Sequence, residues 1–148
     1  MQIDIISSGK IKKNSEFGIL ISNYLKRITT FKINIIEIED KNLNQQQINS
    51  KLFMAIRPQS FVIMLDESGT NFSTSELNSL QKTIFTNYKT ITFLIGGADG
   101  FLPAYKEQAK QLVSFGKITL PHILVRLILV EQIYRIQTLM MNHPYHRE

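Results

Sequence analysis

The chain has 148 residues, 43% of them hydrophobic and 20% charged, a balance that suits a packed core and excludes wholesale disorder. It contains no cysteine, which excludes disulfides, thiolate catalysis and cysteine-ligated zinc. The formal net charge of +5 attracts polyanions over long range, so nucleic acid is a candidate partner, although many mildly basic proteins bind none.

The opening residues, MQIDIISSGKIKK, hold too few apolar side chains before a glycine and lysines to make a signal or transit peptide. Residues 3–7 (IDIIS) are rich in β-branched side chains and predict a strand. Residues 15–28 then set Phe17, Leu20, Ile21, Tyr24, Leu25 and Ile28 at three- and four-residue spacing, which predicts an amphipathic helix. INIIEI (33–38) reads as the next strand. Ile48, Leu52, Phe53 and Ile56 repeat the helical spacing over 44–56, ended by Pro58. FVIMLD (61–66) and ITFLIG (91–96) are nearly continuous apolar runs, as expected of strands covered on both faces. Between them, Ser73 and Glu76 have the spacing of a capping box opening a helix over 73–85. A short helix is expected from Pro103 to about Lys110, with the proline at an early position. LVSFG (112–116) reads as a short strand, and Pro121 sits near the first turn of a last helix over 121–141.

This alternation predicts an α/β fold: one mostly parallel sheet with helices on both faces, in a single domain spanning 1–148. The last helix is the most apolar, yet Arg126, Glu131 and Arg135 interrupt it. It falls short of the roughly 18 apolar residues that a membrane span requires. A soluble, cytoplasmic protein with no membrane partner is the expectation.

Several segments could carry chemistry. Gly96, Gly97 and Gly100 follow a strand in GGADG. Glycines there let a ligand approach the backbone beyond the carboxyl ends of strands, or simply make a tight turn. The order is neither a dinucleotide fingerprint nor a phosphate-binding P-loop. LDESGT ends another strand with Leu65, Asp66, Gly69 and Thr70, where a turn is expected and the aspartate either meets a ligand or caps the next element. FGKITLPH (115–122) is an apolar loop without a connecting helix, and it must pack against the core or against a flat ring. Arg126 lies among apolar neighbours, where a guanidinium needs a carboxylate, a phosphate or an interface. The helix is apolar around most of its circumference, which suggests that a second copy of the chain covers it. His122, His143 and His146 lack the spacing of a structural zinc site, so no metal is expected. The ending NHPYHRE offers a stacking ring, a titratable group and a phosphate fork.

LDESGT, FLIGGADGF, ITLPHILVRLILVEQIYR and PYHRE, in this order and spacing, resemble the SPOUT-class ribosomal RNA large-subunit methyltransferase H family, which methylates N3 of a pseudouridine. The resemblance spans the whole chain and is most specific in the last helix and the tail. It implies an α/β-knot fold, in which the C-terminal segment threads a loop to make a deep trefoil knot, and a homodimer. It implies S-adenosylmethionine as cofactor, contacted by Leu65, Gly96, Phe115, Gly116, Lys117, Ile118, Thr119 and Leu120. Arg126, Tyr145, His146 and Arg147 match the family's substrate side, with the tail completing the partner subunit's site. Ribosomal RNA, within an assembled ribosomal particle, is the implied partner. Thr70 departs from the pattern, since a basic residue is expected after Gly69 in many relatives. Within this reading His146 is best suited to accept the N3 proton, Arg126 or Arg147 to meet an imide oxygen or a phosphate, and Tyr145 to stack on the base. The alternatives are a SPOUT methyltransferase acting on transfer RNA and a non-catalytic RNA-binding module.

Overall fold

A computed structural model describes residues 1–147. Five strands form one sheet in the order β2-β1-β4-β3-β5, every pair parallel. In chain order the elements are β1 (Gln2–Ser8), α1 (Glu16–Arg27), β2 (Lys32–Ile38), α2 (Gln45–Met54), β3 (Phe61–Asn71), α3 (Thr74–Asn87), β4 (Thr90–Ile95), α4 (Pro103–Lys106), β5 (Gln111–Ser114) and α5 (His122–Met140). The expected α/β order and parallel sheet are what the chain adopts.

Alternation along the strands sorts the core into two faces. Ile3 and Ile5 pack with Ile21 of α1, Ile84 of α3 and Leu129 and Ile133 of α5. Ile6, Met64 and Leu94 point the other way, onto Leu52 of α2 with Tyr105 of α4 beside it. Local signals fix the helix starts. The Ser15 side chain accepts from the Gly18 N–H, and Ser73 and Glu76 form the expected capping box. Asn44 and Gln47 form a second capping box at the head of α2. α4 is shorter than expected because the Lys110 N–H already donates to the Val62 carbonyl at 3.0 Å, drawing the chain to the sheet edge. The buried Gln137 side chain of α5 accepts from the Thr29 and Thr30 N–H groups at 2.6 and 2.8 Å and donates to the Arg27 carbonyl at 2.9 Å. It thereby satisfies the end of α1 and fixes α5 against it.

Candidate active site at the carboxyl edge of the sheet

The carboxyl ends of β3, β4 and β5 are neighbours, since Leu65 pairs with both Ile95 and Val113. Gly96 is therefore one residue, and Phe115 two residues, beyond a direct partner of Leu65. The turn expected in LDESGT is instead an irregularity inside β3. Leu65 and Thr70 both oppose Val113, so residues 66–69 leave the ladder and return to it. Asp66 stabilises this excursion by accepting from the Ser68 N–H at 2.9 Å, from the Ser68 hydroxyl, and from Lys106 at 3.1 Å. Burial alone would raise the Asp66 carboxyl, but the Ser68 hydrogen bonds and Lys106 outweigh it and hold the group below its usual value. Gly69 is required there, because a Cβ would lie 2.6 Å from the Val113 nitrogen.

The GGADG turn is closed by the Gly100 N–H on the Gly97 carbonyl at 3.0 Å, with Gly100 at φ +67°. A buried asparagine of α2 holds it: Asn49 donates to the Gly100 carbonyl at 3.1 Å and accepts from the Leu102 N–H at 2.8 Å. Sequence reasoning missed Asn49. Its only signal is a polar side chain on the apolar stripe of a helix.

The segment 115–121 leaves β5, and the α5 that it leads into begins at β1. A Cβ on Gly9, just past β1, would meet His122 Cε1 at 3.2 Å. The segment therefore crosses three strand spacings, about 14 Å. Seven residues can reach over 20 Å or so when extended, so it has slack to arch over the strand ends. Gly116 adopts φ +127°. The Ser114 hydroxyl braces it, and Thr119 donates to Glu67 at 2.9 Å across the β3 excursion. Lys117 and Thr119 are exposed, and the apolar Ile118 side chain is 69% exposed. Leu65, Gly96 and the segment 115–120 are thus gathered at one edge. A separate apolar cavity of about 30 Å³, lined by Ile63, Leu65, Phe93, Phe115 and Ile133 among others, lies within the core and is too small for a nucleoside.

Arg126 is elsewhere than an open substrate face. It is 2% exposed and donates to Glu37 of β2 at 2.6 Å and to the Gly9 carbonyl at 3.0 Å. Glu37 also accepts from the Ile11 N–H at 2.7 Å, so one ion pair ties α5 to the loop after β1. The partner carboxylate was not read from the sequence, because Glu37 is 89 residues away.

Asn142, at φ +53°, ends α5 with the His143 N–H on the Thr138 carbonyl at 2.8 Å, and the tail turns back. The Tyr145 hydroxyl lies 3.1 Å from Glu131 and 3.3 Å from the Tyr24 hydroxyl. Its ring meets Tyr134 edge-on at 4.8 Å, with the Arg135 guanidinium 4.9 Å from its centre. Burial, the Tyr24 hydrogen bond and the Glu131 charge push the Tyr145 phenol well above its usual value. Both ring nitrogens of His146 are buried without a partner among the described residues, and Arg147 is exposed. Glu131 stands nine residues past His122, about 13 Å along the helix. Within one protomer the docked tail and the arching segment are therefore apart. Among the described residues, no group of three or more histidine or acidic side chains could hold a metal ion.

The chain is an open parallel-sheet α/β protein with glycine turns at its carboxyl edge, the architecture in which ligands bind beyond the strand ends. The family model for predicted SPOUT methyltransferases matches residues 1–146. A protein of Streptococcus sanguinis named ribosomal RNA large subunit methyltransferase H is 38% identical, over 99% of this chain and 100% of its own length. One of the same name from Acholeplasma laidlawii is 39% identical over the same shares. The chain belongs to the SPOUT methyltransferase family. A crystal structure of ribosomal RNA small subunit methyltransferase E from Neisseria gonorrhoeae, bound to S-adenosyl methionine, shares the fold with a TM-score of 0.57. It is 13% identical, and the match covers 94% of this chain and 66% of that one.

Proposed function

We propose that this chain uses S-adenosylmethionine to methylate N3 of a pseudouridine in large-subunit ribosomal RNA. The observation that carries the reading is the shared edge: Leu65 beside both Ile95 and Val113, with the segment after β5 arching over it to β1. The residues suit the donor. Gly116 has nothing within 4 Å of where a Cβ would stand, and exposed Ile118 offers an apolar surface to a flat ring. Leu65, Gly96, Phe115, Gly116, Lys117, Ile118, Thr119 and Leu120 would hold it. When bound, the sulfonium supplies an activated methyl, so the protein's part is to orient donor and acceptor.

N3–H is a weak acid whose proton must leave as the N–C bond forms and the S–C bond breaks. His146, with two unpartnered ring nitrogens, is the group assigned to accept it. Exposed Arg147 meets an imide oxygen or a phosphate, and Tyr145 carries both residues into place and offers a ring to the base. Arg126 acts through Glu37 and the Gly9 carbonyl, shaping the wall of the site. The separation of tail and strand edge in one protomer favours a homodimer in which each tail serves the partner's site. Half-exposed Ile19 and Leu20 of α1 supply apolar surface for it, alongside α5. The reading includes a C-terminal trefoil knot, supported by the segment 115–121 crossing the sheet edge before α5 packs between α1 and α3. It also includes one functional domain, cytoplasmic work on a ribosomal particle, and no membrane; no helix among the described residues is long and apolar enough to cross one.

Mass spectrometry of ribosomal RNA from cells with and without the gene tests the whole proposal. One methyl should vanish from a pseudouridine-containing fragment of the large subunit. An unchanged large-subunit RNA, or a loss from transfer RNA, would refute it.

A further inference from the structure

The amino ends of the strands make a second edge, separated from the donor edge by the length of β4, about 20 Å. Register brings cations together there. Lys32 opens β2 opposite Gln2, and Lys89 immediately precedes Thr90, which opposes Gln2 from the other side. The Lys32 N–H donates to the Met1 carbonyl and the Gln2 N–H to the Lys89 carbonyl, both at 3.1 Å. The two lysines therefore flank the start of β1, two strand spacings or about 10 Å apart. Lys110, just before β5, extends the row, since its Nζ lies 5.3 Å from the centre of the Tyr88 ring, next to Lys89 in the chain. Arg57, in the loop before β3, is half-exposed and pairs with Asp4 at 3.2 Å, and that carboxylate is 1% exposed. Among the described residues Lys32, Lys89 and Lys110 have no ion-pair partner.

Between these cations the edge is hollow. An open groove of about 510 Å³ is lined by Met1, Lys32, Phe85, Tyr88 and Lys89, among others. Phe85 and Tyr88 are partly buried, so each ring is fixed at the groove by the core behind it. Phe85 stacks on Phe31, and Tyr88 meets Phe61 edge-on at 5.2 Å. Rings held beside unpaired lysines suit a chain that carries both phosphates and flat bases. A flat anionic membrane would meet the lysines and leave the concave, aromatic floor empty. Nothing in methyl transfer uses this groove, because the donor edge is at the other end of the strands.

We propose that the groove is a second RNA-contact surface, in which Lys32 and Lys89 hold phosphates of an unpaired ribosomal RNA segment while Phe85 and Tyr88 face its bases. The inference rests on the proposed function only in taking the RNA to be ribosomal. The groove supplies affinity for the particle at a distance from the reacting atoms, so it acts on substrate capture and leaves the chemical step alone.

The test measures binding of the full chain to ribosomes purified from cells that lack the gene, and methyl transfer to them. Replacing both lysines, Lys32→Gln with Lys89→Gln, should weaken binding roughly tenfold and lower the slope of log affinity against log salt by about 1–2, as two phosphate contacts are lost. KM for the ribosome should rise in step, while kcat and calorimetric affinity for S-adenosylmethionine hold. Tyr88→Leu, which keeps an apolar side chain against Phe61, should weaken binding with the salt slope unchanged. The control Lys51→Gln removes an exposed lysine of α2, on the other face of the sheet, and should do little. Unchanged ribosome binding in the double variant overturns the inference. So does an equal loss per lysine in Lys51→Gln, which would mean that net charge alone is at work, or a loss seen only with vesicles of anionic phospholipid. A wild-type chain that binds ribosomes through the two lysines yet transfers no methyl supports the groove and overturns the proposed function.

Discussion

Arg126 brings a full charge into the core and is compensated by the Glu37 carboxylate and the Ser8 and Gly9 carbonyls. Removing the guanidinium leaves Glu37 with the Ile11 N–H alone and unties α5 from the loop after β1. Arg126→Ala should therefore lower unfolding free energy by about 3 kcal/mol, the lower end for a broken buried pair because Glu37 keeps some exposure. Urea denaturation checks this, and a loss near zero would show that the pair is not coupled to folding. Tyr145 poses the opposite question, since its phenol is raised rather than a charge held. A group whose folded value is raised adds stability that is complete below its unfolded value and is lost as pH climbs toward the folded one. The tail should stay docked up to ordinary tyrosine ionisation and release only in stronger alkali, seen as a delayed rise in tyrosinate absorbance. In Tyr145→Phe the delayed component should disappear.

At the scale of elements, the junction of β3 with β5 depends on one missing side chain. Gly69→Ala would press a methyl onto the β5 backbone at 2.6 Å from the Val113 nitrogen, and backbone cannot swing aside as a side chain can. A destabilisation of about 1–3 kcal/mol is expected, with weaker donor binding because Leu65 and segment 115–120 flank that junction. Thermal unfolding and calorimetric titration would measure the two effects, and full stability would mean that the strands part at little cost. The glycine turn depends on α2 in the same way. Asn49→Ala removes both hydrogen bonds to residues 100–102 and leaves a half-buried carbonyl and N–H without their partner, so donor affinity should fall while α2 itself persists.

On the scale of the whole molecule, the tail and the donor edge lie at different levels of α5, so activity should depend on association. Leu20→Glu places a charge on the apolar α1 surface and should shift sedimentation from dimer to monomer, with methyl transfer lost in parallel. A fully active monomer would contradict that arrangement. Affinity for the ribosomal particle should drop steeply with salt, because cations on the protein release counterions from the RNA.

The elements were readable because periodicity and caps are local. Ser15, Ser73 and Glu76 sit where the helices begin, and the apolar runs 61–66 and 91–96 became interior strands. The run LDESGT was misread as a turn because its shape comes from Val113 facing both Leu65 and Thr70, a pairing that no local signal encodes. The candidate site divides in the same way. Glycines, the apolar loop and the aromatic tail stand out by composition, whereas Glu37 and Asn49 look like ordinary polar residues. The sequence by itself determined the succession of strands and helices, since backbone propensity and side-chain period act over a few residues. Only the tertiary structure decided which strand ends adjoin, which carboxylate meets Arg126, and that the His122 ring comes against Gly9. Those pairings join residues far apart in the chain, and they exist only once the sheet order brings their strands together.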